Sequence, residues 1–185
     1  MEYVAFLRGI NVGGRRSVKM SELEAVFLSL GYEKVRTVLA SGNLIFEGPK
    51  SAPDLVAGDI RKKLEARLGL KTDLILRPLS GIRRLVKSDP FKGFAVMPET
   101  RLYVTFLPGK SRSAQAYRYE SPEKDVRIFG LSRGEVGTVL TLSPRRGTTD
   151  LMTILDRQFG RNVTSRNWTT VQKIAERSSP PPRPK

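Results

Sequence analysis

Between Tyr3 and Arg77 the chain alternates short apolar runs with two capped helical stretches, in the order β-α-β-β-α-β. That order constrains the fold more than any other feature of the chain. Tyr3–Leu7, rich in β-branched and aromatic residues, reads as a strand. Ser21-Glu22-Leu23-Glu24 reads as a capping box opening a helix with an apolar stripe at Leu23, Val26, Phe27 and Leu30, and Gly31 reads as its stop. Lys34–Leu39 and Leu44–Glu47 read as two strands around a hairpin turn, Ser41-Gly42-Asn43. Pro53 and Asp54 open a second helix that turns Ile60, Leu64 and Leu68 inward and stops at Gly69. Asp73–Arg77 supplies a fourth strand, closed by Pro78.

This is the split βαβ arrangement of the ferredoxin-like fold. Its first two strands run parallel, so their carboxyl ends share one edge of the sheet. The loop Gly9–Arg16 and the turn Ser41–Asn43 are therefore expected to be neighbours, although some thirty residues separate them.

The second half repeats the plan less cleanly. Tyr103-Val104-Thr105-Phe106-Leu107-Pro108-Gly109 matches Tyr3-Val4-Ala5-Phe6-Leu7-Arg8-Gly9 at five of seven positions, and the order that follows supports an internal repeat. A weak helix over Ser111–Tyr119 leads to strand Asp125–Phe129, a turn at Leu131–Gly134 and strand Val136–Leu142. A helix over Asp150–Phe159 ends at Gly160, with Thr148, Thr149 and Asp150 as its capping residues, and a last helix covers Asn167–Arg177. The expectation is an α+β protein of two ferredoxin-like (βαββαβ-type) subdomains packed together: residues 1–78, a linker with a short helix over 79–100, residues 101–177, and a disordered, basic, Pro-rich tail over 178–185.

Composition narrows the chemistry. Without cysteine there is no disulfide, thiolate nucleophile or cysteine-held zinc or iron–sulfur cluster, and without histidine the usual neutral-pH base and commonest metal ligand are missing. No metal and no cofactor is expected, and no catalytic constellation stands out: there are no paired carboxylates, with Glu22 and Glu24 assigned to capping. The 33 Lys plus Arg against 18 Asp plus Glu give a net charge of +15, which favours anionic partners. The longest apolar runs are five or six residues, too short for a signal peptide or a membrane span, so the default is a bacterial cytoplasmic protein with no membrane partner. The oligomeric state is open, with a monomer slightly favoured.

The candidate ligand-binding residues are Arg8, Asn11, Gly13, Gly14, Arg15, Ser41, Asn43, Arg166 and Asn167. Gly13-Gly14 would let successive backbone amides approach an anion, with Arg8, Arg15 and Arg16 adding charge-assisted bonds. The competing explanation is a tight turn with solvated arginines. Ser41-Gly42-Asn43 either presents a hydroxyl and an amide to a ligand or simply satisfies a hairpin turn. Arg166-Asn167-Trp168 either stacks on a base or sugar or anchors a helix, with Ser165 as N-cap and Trp168 packed into the junction between halves.

Tyr3-Val4-Ala5-Phe6-Leu7-Arg8-Gly9-Ile10-Asn11-Val12-Gly13-Gly14, then Met20-Ser21-Glu22-Leu23, Ser41-Gly42-Asn43-Leu44-Ile45-Phe46 and Thr164-Ser165-Arg166-Asn167-Trp168 resemble the signature of a bacterial family, domain of unknown function 1697. The resemblance implies two ferredoxin-like subdomains and no particular activity. The chain departs from the family pattern at Ser143-Pro144-Arg145-Arg146-Gly147-Thr148-Thr149-Asp150, where a glycine-rich stretch leading to Ser-Lys is usual; Arg145 or Arg146 would have to replace that lysine. The preferred functional expectation is a binding module for a phosphorylated or other small anionic ligand at the Gly9–Arg16 loop. A nucleic-acid binder using the basic surface is the alternative, although Leu44-Ile45-Phe46-Glu47 lacks the pattern of base-stacking strands. An enzyme working without His or Cys comes third.

Overall fold

Tyr3 to Leu7, the body of strand β1 (Glu2–Leu7), are all fully buried. A strand covered on both faces needs no polar alternation, which explains the unbroken apolar run. The structure is a computed structural model and describes residues 1–11, 18–109, 112–143 and 149–177. After β1 come α1 (Met20–Ser29), β2 (Glu33–Thr37), β3 (Asn43–Glu47), α2 (Pro53–Leu68), β4 (Leu74–Pro78) and α3 (Leu79–Lys87). The four strands form an antiparallel sheet in the order β2-β3-β1-β4. Tyr3, Ala5 and Leu7 pack with Leu44 and Phe46 of β3 against Leu23 and Phe27 of α1 and Ile60 and Leu64 of α2. Phe46 is the hub of this core, with ring contacts to Tyr3, Phe27 and Tyr32.

The cap of α1 lies two residues earlier than the sequence suggests. Lys19 is the N-cap, and its backbone N–H donates to Oε2 of Glu22 at 3.2 Å. Glu24 is thereby released from capping and accepts a hydrogen bond from the Thr37 N–H at 2.9 Å, tying the helix to the end of β2. Strand β2 begins one residue before the expected Lys34–Leu39 and stops two residues short of its end, near Leu39, which has a φ of +60°; its register shifts between Glu33 and Arg36, where Lys34 has a φ of +50°. Helix α2 starts on Pro53 and ends at Gly69, as the sequence indicates.

The second sheet, order β6-β7-β8-β5-β9, is also antiparallel. Its elements are β5 (Thr100–Phe106), α4 (Arg112–Ala116), β6 (Arg118–Glu120), β7 (Val126–Gly130), β8 (Glu135–Thr141), α5 (Leu151–Phe159) and β9 (Thr164–Asn167), followed by α6 (Trp168–Glu176). Two strands correct the sequence reading. The helix expected over Ser111–Tyr119 stops at Ala116, and Arg118–Glu120 pairs with β7 as an edge strand. Thr164–Asn167 is a strand on β5, so Ser165 is not an N-cap: its hydroxyl lies 2.9 Å from that of Thr105, and α6 begins at Trp168. Both strands are short and sit at an edge, where pairing rather than apolar alternation holds them, so their sequences carry little strand signal.

Asp150 caps α5. Hydrogen bonds from the Thr153 hydroxyl at 2.6 Å and the Thr153 N–H at 3.1 Å hold its carboxyl below the ordinary value of 3.8. Asp150→Ala should lower stability by about 1 kcal/mol near neutral pH. Because the carboxyl is held low in the folded state, this contribution is complete above the unfolded value and is lost as pH falls through the folded one. Urea melts of both proteins should therefore diverge at neutral pH and converge in acid; equal midpoints at both would refute the cap.

The chain divides into two units, one comprising Met1–Arg84 with the segment that starts at Gln172, the other Leu85–Val171. Each division falls inside a helix, α3 or α6. In the first unit, Arg83 donates from Nε to the Ala175 carbonyl at 3.3 Å and from Nη2 to that of Arg177 at 3.2 Å. Arg36 also reaches the Arg177 carbonyl, at 3.4 Å, and Glu2 lies beside both arginines.

Candidate functional site

β1 is antiparallel to β3, and β3 to β2, so β1 and β2 point the same way and end on one edge. At that edge the two stretches meet: the Leu7 N–H donates to the Gly42 carbonyl at 2.9 Å. Asn11, at a φ of +57°, fastens the meeting point. Its Nδ2 donates to the carbonyls of Val18 at 3.1 Å and Ala40 at 3.0 Å, while its Oδ1 accepts from the Val18 N–H at 2.8 Å. Both ends of the glycine loop and the hairpin turn are thus gathered onto one side chain. The loop's own Gly13, Gly14, Arg15 and Arg16 lie outside the described residues, as do Arg145 and Arg146.

Asn43 is fully buried at the start of β3, and its Nδ2 donates to the Val38 carbonyl at 3.0 Å and to Oγ of Ser41 at 2.9 Å. The N–H donors of both asparagines are therefore directed at the protein itself. Together they shape the edge on which Arg8 stands.

Arg8 and Gly9 leave that edge toward β4 and form one wall of a cleft of about 630 Å³. The Arg8 N–H donates to the Asp73 carbonyl at 2.9 Å, and the Thr72 hydroxyl donates to the Arg8 carbonyl at 2.7 Å, so the wall is fixed through its backbone. Arg61 of α2 and Lys71 also line the cleft, with Glu65 and Asp73 as its acids. Lys71 pairs with Glu65 at 3.1 Å, but both side chains are largely exposed and such a pair contributes little. Three cations against two carboxylates leave the cleft electropositive. Arg61 and Lys71 were not among the sequence candidates, since a cation on an exposed helix face or after a helix stop carries no motif. Among the described residues there is no group of three or more Asp or Glu placed to hold a metal ion.

Arg166 and Asn167 belong to the second unit, on β9. Arg166 donates from Nη1 to Oγ1 of Thr164 at 2.7 Å and to the Ser165 carbonyl at 2.8 Å. Burial pushes its guanidinium down to about 10, so it stays charged at neutral pH and the fold bears the desolvation. Trp168 is buried, with its ring against Phe91 at 5.1 Å. Among the described residues no helix is long and apolar enough to cross a membrane.

A family model described as "Protein of unknown function (DUF1697)" matches residues 1–136. A solved structure, that of the conserved bacterial protein SP0830 from Streptococcus pneumoniae, is similar over 95% of this chain and 97% of its own, with a TM-score of 0.71 at 22% sequence identity. That likeness extends the mixed α+β fold to both proteins. No curated protein matches the chain.

Proposed function

We propose, for a chain that belongs to the DUF1697 family of proteins of unknown function, that it binds a small phosphorylated or otherwise anionic ligand in the cleft between Arg8, Arg61 and Lys71. One observation carries the reading: three cations from three separate chain segments line one cleft of about 630 Å³ beside Gly9, within the size range of small-molecule sites. Arg8 would offer a planar fork and Lys71 a mobile point charge, the two usual ways of holding phosphate. Asn11 and Asn43 contribute by building the edge rather than by touching the ligand. The overall charge of +15 draws anions toward the molecule.

The same proposal takes each unit as a ferredoxin-like subdomain. Support comes from the order β2-β3-β1-β4 in the first and β7-β8-β5-β9 in the second, with β6 as an added edge strand.

Titration calorimetry of the full chain with inorganic phosphate and a sugar phosphate tests the site. Saturable binding is expected that weakens ten- to a hundredfold in Arg8→Ala and Lys71→Ala, the loss of one charge-assisted bond each, about 1.5–3 kcal/mol. Both variants should melt near the parent temperature. No saturable binding by the parent protein, or unchanged affinity in the variants, would overturn the reading.

A further inference from the structure

We infer that the second unit carries a separate site for a nucleotide, either free or as part of a single strand, in the groove formed by Phe94, Phe129, Arg118 and Arg127. The register of the edge hairpin supplies the first argument. Arg118 lies opposite Phe129, and Glu120 opposite Arg127, so these four side chains share one face of the sheet. Tyr119 and Ile128, opposite each other, serve the other face, where Ile128 is buried in the core.

The second argument is the aromatic surface on the shared face. Phe129 pairs with Gly137 of β8, and a Cβ at that glycine would lie 2.8 Å from the Phe129 ring. The missing side chain gives the ring room to lie over the sheet. Phe94 stacks on Phe129 with centroids 5.2 Å apart and planes 16° apart. Phe91 meets Phe129 edge-on at 5.7 Å and is buried, as is Trp168 behind it. The cluster therefore has a buried half that serves packing, and a half-buried half that lines a groove of about 470 Å³.

Charge selects the occupant. Two exposed arginines flank the rings against a single carboxylate, Glu120, which Arg127 already engages at 2.6 Å through Nε. Arg118 makes one hydrogen bond among the described residues, from Nη1 to the Tyr117 carbonyl at 2.6 Å, and the residue is exposed. A planar ring carrying a phosphate matches both halves of this surface. Its base would extend the Phe94–Phe129 stack, an interaction of general preference for any base, and its phosphate would meet Arg118. A cationic or neutral aromatic ligand would satisfy only the rings. The site shares no residue with the Arg8 cleft and does not depend on it.

Fluorescence anisotropy and calorimetry on the full chain, with a labelled oligouridylate and with uridine monophosphate as probes, test the inference. Binding of at least one is expected. Phe94→Leu keeps apolar bulk but removes the ring face, and should weaken binding at least tenfold; Phe94→Trp should restore it, and Arg118→Ala should weaken it and flatten its salt dependence. Monophosphate binding as strong as that of the strand would identify a free nucleotide as the ligand, and binding of the strand alone would identify single-stranded nucleic acid. Failure of both probes to bind the parent protein, or Phe94→Leu binding like the parent, would overturn the site. Repeating the comparison in an Arg8→Ala background reduces monophosphate bound in the Arg8 cleft, and the loss on Phe94→Leu should persist there.

Discussion

Asn43→Ala is expected to lower the unfolding free energy by about 2–4 kcal/mol, read as a fall in urea midpoint at constant slope. The side chain is fully buried and holds the Val38 carbonyl and the Ser41 hydroxyl from one amide. Its removal leaves a buried acceptor without that donor and opens a small void, and neither loss can be made good by water. Asn11→Ala removes three hydrogen bonds and should nevertheless cost less, about 1–2 kcal/mol, because the residue is exposed and water can replace it. The ranking separates the two roles open to Asn43. A ligand-facing residue could be truncated with little change in stability, so an unchanged midpoint would remove Asn43 from the framework.

Gly42→Ala should be comparably severe, about 2–4 kcal/mol, for a different reason. Gly42 has a φ of +71°, a conformation that disfavours any side chain, and an added Cβ would lie 3.0 Å from Cβ and Cγ1 of Ile10 and 3.2 Å from Cβ of Leu7. Backbone strain and overpacking act together at the point where the Leu7 N–H meets the Gly42 carbonyl. Thermal melts should show the loss directly. If the variant melts like the parent, the hairpin turn and the loop after β1 are not packed as described.

The contrast between the two halves shows what a sequence can reveal. In the first unit, apolar runs, a proline at the start of α2 and a glycine at its end are signals a single chain segment carries, and the helices and strands fall close to where those signals place them. In the second unit, β6 and β9 owe their existence to pairing, β6 with its hairpin neighbour β7 and β9 with β5, which is distant in sequence. Nothing in Thr164-Ser165-Arg166-Asn167 alternates apolar with polar, and only pairing with β5 makes it a strand. The site divides along the same line. Arg8 and Gly9 are visible because they end an obvious strand. Asn11 and Asn43 are visible as residues of a loop and a hairpin turn, but their donors' targets become known only when the turn and loop are brought together. Arg61 and Lys71 are ordinary surface cations until the cleft gives them a common purpose.

The hydrogen bonds from Arg83 and Arg36 to the carbonyls of Ala175 and Arg177 also bear on how the protein is made. The unit that begins at Met1 is completed by the later part of α6, from Gln172 onward. During synthesis the first sheet and its two packed helices emerge long before those carbonyl acceptors exist, so these hydrogen bonds form only after the second unit has been translated in full. A domain usually folds as it leaves the ribosome, in chain order. Here the half that is made first is the half that is finished last.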